Sequence, residues 1–161
     1  MRMKRWILVC LLAAFLTGCR AEETLETVGD EWIVPVMAQP REISVRLPEN
    51  AFAPVLEQEN RQLYMAQGYE IMLETLASGD LDATIRTLSG YGKDQLTVME
   101  TRQNDADRYD FVWTTAGEAG DRLGRAVILD DGNYHYCMSV LRDPGETMIL
   151  WREVFGSFVL I

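Results

Sequence analysis

The sequence predicts an α+β protein, a mostly antiparallel twisted sheet flanked by helices, and three observations carry that prediction. Apolar and polar residues alternate in several short runs, as at Ile43, Val45 and Leu47, which is the period of a half-buried strand. Clusters of turn-forming residues separate consecutive runs at short spacing, most clearly Asp130-Asp131-Gly132-Asn133, and such spacing favours hairpins over crossovers. Two segments change to a helical period and carry one apolar stripe each, and a stripe of that kind needs a sheet face to cover.

Taken in order, a short strand is expected at Trp32-Ile33-Val34, and a half-buried strand from Glu42 to Leu47, ended by Pro48. The stretch from Glu49 to Asn60 contains Pro54 and many polar residues and reads as loop. Strands follow at Gln62–Ala66 and Tyr69–Leu76, with Gly68 near the bend between them. A helix is next: Ser78 or Asp80 can cap it, Leu81, Ile85 and Leu88 share a face, Asp82 can reach Arg86, and Gly90 can end it. The second half reads as a meander of strands at Leu96–Thr101, Tyr109–Thr114, Arg125–Leu129 and Tyr134–Leu141, with Asn104–Asp107 and Asp130–Asn133 as turns. Asp143-Pro144-Gly145 then stops the last strand and opens a closing helix with the stripe Leu150, Trp151, Val154, Phe155 and Phe158.

The chain has 161 residues, 15 Lys plus Arg, 25 Asp plus Glu and one His, for a formal net charge of −10, and 48% of its residues are hydrophobic. That is enough for one folded domain. The first residues change the balance. Arg2, Lys4 and Arg5 precede the apolar run Trp6–Leu16, which as a helix would rise only about 16 Å, half of a bilayer core. This is the layout of a signal peptide. Leu16-Thr17-Gly18-Cys19 follows and resembles a bacterial lipobox. The resemblance implies cleavage between Gly18 and Cys19, a lipid on the Cys19 sulfur and, with two or more acyl chains, stable anchoring on the outer face of a bacterial membrane. The expected organisation is a signal peptide at 1–18, a lipidated Cys and acidic tether at 19–40, and a single α+β domain at 41–161. Processing would remove three bases and no acids, leaving 12 Lys plus Arg against 25 Asp plus Glu, a net charge of −13. Cys137 would then be the one remaining thiol, and a buried position is expected for it.

These numbers exclude several functions. The cations are outnumbered and scattered, so nucleic acid is not an expected partner, and the alternating Tyr109, Phe111 and Trp113 read as core rather than as a base-stacking platform. His135 and Cys137 lie two residues apart on one strand and therefore on one face; a dyad or metal pair there would need an open cleft, and an ordinary pair on a sheet surface or beneath a helix is the expected reading. The acidic clusters Asp130–Asn133 and Asn104–Asp107 hold oxygen donors but lack an EF-hand pattern, and turn chemistry accounts for each residue unless the fold brings the two together. The run Gly117, Gly120, Gly124 lacks the Lys of a phosphate-binding loop and is followed by a strand, so it reads as a wide hairpin loop. Its charged residues Glu118, Asp121 and Arg122 make it a candidate contact loop.

The order of elements, with a middle helix, a meander and a closing helix Trp151-Arg152-Glu153-Val154-Phe155-Gly156-Ser157-Phe158, resembles the PsbP/Mog1-like superfamily over residues 40–161. That resemblance implies an α/β/α sandwich whose members act by binding. The expected function is a membrane-anchored, noncatalytic module that binds an envelope protein or polymer through loops such as 116–124 and 103–108. No catalytic residue, metal site or cofactor is expected. The alternative is a carrier of a small ligand or cation with a pocket between sheet and helix.

Overall fold

Tight turns set the pairing of the strands. Gln67-Gly68 and Asn104-Asp105 are two-residue turns, with Gly68 at φ 86° and Asn104 at φ 56°, and each joins two strands in direct antiparallel register. The computed structural model describes residues 38–161 apart from Phe52, Ala119 and 146–148, and these fall in one unit, Ala38–Ile161. The signal segment with Gly18 and Cys19, the tether up to Met37 and the strand expected at Trp32–Val34 lie outside the described residues.

The strands are β1 (Ile43–Ser44), β2 (Leu56–Gln58), β3 (Arg61–Ala66), β4 (Tyr69–Ala77), β5 (Met99–Gln103), β6 (Ala106–Thr115), β7 (Arg122–Asp130), β8 (Tyr134–Arg142) and β9 (Val159–Leu160); the helices are α1 (Leu81–Ser89) and α2 (Ile149–Ser157). Seven strands form one sheet in the order β2-β3-β4-β8-β7-β6-β5, and β1 and β9 make a separate ribbon. Every described pairing is antiparallel. A first meander runs inward to β4; α1 and a 3-10 turn at Lys93–Gln95 carry the chain to the far edge; a second meander returns from β5 until β8 lies beside β4. The fold is thus α+β and dominated by its sheet.

Alternation along the strands divides the core between the two sheet faces. Tyr69, Ile71, Val127, Leu129, Tyr136 and Met138 point to the side of Val154, Phe155 and Phe158, while Tyr109, Phe111, Trp113, Ala126, Ile128 and Cys137 point to the side of Ile85 on α1. The helices therefore sit on opposite faces. Each is nine residues long and covers only part of the sheet, so Met65, Met99 and Val112 remain about half exposed. Burying an aromatic side chain such as Phe155 or Phe158 contributes about 2–3 kcal/mol. The start and end of α1 are those its residues specify: the Asp80 carboxylate accepts the Asp82 N–H at 3.0 Å, Gly90 takes φ 82° with its N–H on the Arg86 carbonyl, and Arg86 pairs with Asp82 at 2.8 Å.

Several extents differ from expectation for reasons of pairing and packing. Ile43, Val45 and Leu47 do pack on the core, but only Ile43–Ser44 forms a strand, because the partner that arrives after α2 offers just Val159–Leu160. Glu49–Asn60 is not all loop: Leu56–Gln58 turns at Glu59-Asn60 and pairs with β3. The strand expected at Leu96–Thr101 begins at Met99 and runs on to Gln103, since Leu96 and Val98 pack against the core without strand pairing and the hairpin turn needs only Asn104-Asp105. For the same reason Ala106 and Asp107 belong to β6 and not to a turn.

Candidate functional site

At the end of the sheet where β3 turns into β4, residues from four segments line an open groove of about 350 Å³. Met65, Ala66, Tyr69 and Glu70 come from the β3–β4 hairpin, Glu118 and Gly120 from the loop before β7, Arg122 from β7, and Asp143 and Pro144 from the chain just after β8. The loop is held there by its own turn, with the Gly120 N–H on the Gly117 carbonyl at 3.3 Å, and the Asp143 N–H donates to the Gly68 carbonyl at 2.8 Å. Arg122 ties the parts together. Its Nη2 lies 2.9 Å from Glu70 Oε1 and its Nε 3.0 Å from Asp143 Oδ1, so one guanidinium spans from β7 across β8 to β4. Glu118 is exposed at the rim, so the groove is lined by three carboxylates and one cation, with the half-exposed Met65 beside them.

Of the three residues of the candidate contact loop, the groove wall includes Glu118 and Arg122; Asp121 is exposed but forms no part of that wall. The loop is shorter than the sequence suggests, since Arg122, Leu123 and Gly124 already pair within β7. Met65, Glu70 and Asp143 were not legible as partners of this loop. The one hint was the alternation of β4, which sets Glu70 on the face opposite to Tyr69 and Ile71.

The His135–Cys137 pair shares one face, as its spacing suggests, and that face lies beneath α1. Both side chains are completely buried. His135 Nδ1 is 2.9 Å from Thr84 Oγ1 on α1, and its Nε2 is 3.4 Å from Asp130 Oδ2 and 3.5 Å from Ser78 Oγ. Ser78, His135 and Asp130 include the residue types of a hydrolytic triad, yet Ser78 donates to the Asp130 carboxylate at 3.1 Å, and a fully buried imidazole faces no cleft. Burial above all, with the nearby Glu74 carboxylate, pushes the Cys137 thiol well up from its ordinary value, so it is held protonated. These groups join α1 to the β7–β8 hairpin.

The two acidic turns do converge, because Asp107 and Asp130 are register partners. Arg41 lies beside them. Arg41 Nη1 contacts Asp105 Oδ1 at 2.8 Å, its N–H donates to the Tyr136 hydroxyl at 2.8 Å, and that hydroxyl donates to Asp131 Oδ2 at 2.9 Å. Among the described residues no group of three or more His, Cys, Asp or Glu is placed to hold a metal ion. Burial, the largest influence, pushes the Tyr136 hydroxyl up to about 12. For Asp131, burial opposes the charge, but the N–H groups of Asn133 and Tyr134 and the Tyr136 hydroxyl outweigh it and hold the carboxyl below its ordinary value.

A carboxyl lowered on folding stabilises the fold above its unfolded value and loses that contribution as pH falls through the folded one. Asp131→Asn should therefore flatten the acid limb of the stability curve below the ordinary carboxyl value of 3.8. Thermal melts of the full chain between about pH 6 and pH 3 read this directly, and an acid limb as steep in the variant as in the parent would contradict it.

No family model matches the chain, and no curated protein matches it in sequence. A solved structure from Bacteroides thetaiotaomicron VPI-5482 is similar in fold, with a TM-score of 0.52 and 11% sequence identity over 74% of this chain. This chain spans 45% of that protein's length. At such an identity the likeness is one of fold alone.

Between α1 and the sheet, Ile85 is completely buried, and between α2 and the sheet Phe155 and Phe158 are 1% exposed or less. Among the described residues no helix is long and apolar enough to cross a membrane.

Proposed function

We propose that this chain is a lipid-anchored extracytoplasmic protein, attached through Cys19 to a bacterial membrane, that works by binding an envelope protein and not by catalysis. The groove at Met65, Glu70, Glu118, Arg122 and Asp143 carries this reading, because it combines excess negative charge with an exposed apolar side chain on a rigid sheet end. A basic segment with one apolar residue is the partner chemistry it fits. The PsbP/Mog1-like α/β/α sandwich belongs to the same proposal, supported by one helix on each sheet face and by a closing helix that ends at Ser157 with Phe158 buried behind it.

The test uses the full chain in cells with a photo-reactive amino acid replacing Met65. A discrete adduct with a basic protein is expected, and Glu118→Lys should diminish it several-fold while leaving the fold intact. Cys19→Ala should move the protein out of the membrane fraction and weaken the same adduct. An adduct unchanged by Glu118→Lys would remove the groove from the reading, and a Cys19→Ala protein that stays on the membrane would remove the anchor.

A further inference from the structure

At the opposite edge of the sheet, β5 has no strand on its outer side among the described residues and is exposed along most of its length. Its hydrogen-bonding phase follows from the turn. Gln103 and Ala106 flank a two-residue turn and so exchange both backbone bonds, and this alternation repeats at Thr101 with Arg108 and at Met99 with Asp110. The N–H and C=O groups of Glu100 and Arg102 consequently point away from β6, into the open edge.

We propose that this edge is an interaction surface for a second copy of the chain, which adds its own β5 antiparallel about a two-fold axis through Thr101. The charges select that register. Only residues whose free groups both point outward can pair across the edge, so a two-fold axis within the charged part of β5 falls on Glu100, Thr101 or Arg102. An axis on Glu100 sets Glu100 against itself, and an axis on Arg102 sets Arg102 against itself. The axis on Thr101 sets Glu100 opposite Arg102 of the second copy twice over, Thr101 opposite Thr101, and Met99 opposite Gln103. The two Glu100–Arg102 pairs then exchange four backbone hydrogen bonds.

The surroundings fit this pairing. Arg102 has one exposed partner, Asp107 at 3.6 Å, with the two side chains 69% and 49% exposed, and the second copy supplies another carboxylate on its open side. Met99, 57% exposed on the face that bears α2, gains Thr101 and Gln103 of the copy as neighbours. This surface is distinct from the groove at Arg122, which lies on other strands.

The experiment uses the full chain carrying Thr101→Cys, oxidised mildly and read on a non-reducing gel. The unsubstituted chain supplies the background from its own cysteines, and Thr114→Cys, exposed on β6 away from the edge, supplies the off-site control. Thr101→Cys should give a crosslinked dimer well above both, because directly opposed residues bring their Cβ atoms within disulfide reach. In that background Glu100→Arg or Arg102→Glu should each lower the yield about tenfold by opposing like charges, and the two together should restore it to within about twofold. A Thr101→Cys yield no higher than that of Thr114→Cys, or a double variant as weak as the single ones, overturns the proposal. If Thr101→Cys fails to fold, the three charge variants without it, weighed by light scattering in detergent, must show the same loss and recovery of dimer or the proposal falls.

Discussion

Gly124→Ala should destabilise the protein by about 3 kcal/mol and lower its Tm by roughly 10 °C, the largest effect expected from adding one methyl group anywhere in the described sheet. Gly124 on β7 lies directly across from Trp113 on β6, and the indole comes close against the glycine. A Cβ at this position would lie 2.1 Å from Trp113 Cε2 and 2.4 Å from its Cζ2, inside any tolerable contact. The ring has no easy retreat. Trp113 is 6% exposed and packs in the cluster beneath α1, its centroid 5.8 Å from that of Phe111. Relief requires an off-rotamer indole or a local opening of the β6–β7 ladder. Thermal melts of Gly124→Ala, Trp113→Leu and the double variant test this as a cycle. The double variant should be less destabilised than the sum of the single ones, because the smaller side chain makes room for the methyl group. A Gly124→Ala protein that melts with the parent would refute the close approach.

Asp110→Ala is expected to cost about 3–5 kcal/mol, through charge and not volume. The Asp110 side chain is 8% exposed and accepts from Arg108 Nε at 2.7 Å and from Arg125 Nη2 at 3.1 Å. Both cations are themselves partly buried under α2: Arg108 donates to the Phe155 carbonyl at 3.3 Å and to Gln103 Oε1 at 2.6 Å, and the Arg125 guanidinium lies 4.2 Å from the centre of the Phe155 ring. Truncating the carboxylate leaves two guanidinium groups side by side with no counter-charge between them. Urea unfolding of the full chain measures the loss. Asp110→Asn should lose less, since it keeps an acceptor oxygen, and replacing Asp110, Arg108 and Arg125 together by apolar residues should recover much of the stability. An Asp110→Asn protein as stable as the parent would show that the charge at Asp110 does not matter.

Where a signal is local, the sequence already carried it. Asp80, Asp82, Arg86 and Gly90 specify α1 within one turn of their own positions, and the β7–β8 hairpin follows from Asp130 to Asn133 because those side chains bond to the backbone two or three residues on. The alternation of Tyr109, Phe111 and Trp113 was enough to set that face against a helix, and the spacing of His135 and Cys137 was enough to put both on one face, while only the fold placed that face beneath α1. The candidate contact loop was half legible: its charges stand out in the sequence, while their counterparts Glu70 and Asp143 lie far away along the chain.

By itself, then, the sequence determined the class of fold, the two helices, the β3–β4 and β7–β8 hairpins and the core-facing residues of β6. All of these depend on periods and turns shorter than about a dozen residues. Only the tertiary structure decided that β8 lies beside β4, that β1 is cut to two residues, that Arg41 sits beside the acidic turns, and that Asp110 gathers two arginines under α2. Those outcomes depend on register between segments distant in the chain, where a polar residue in a strand pattern says that it faces away from apolar core but not what it will meet.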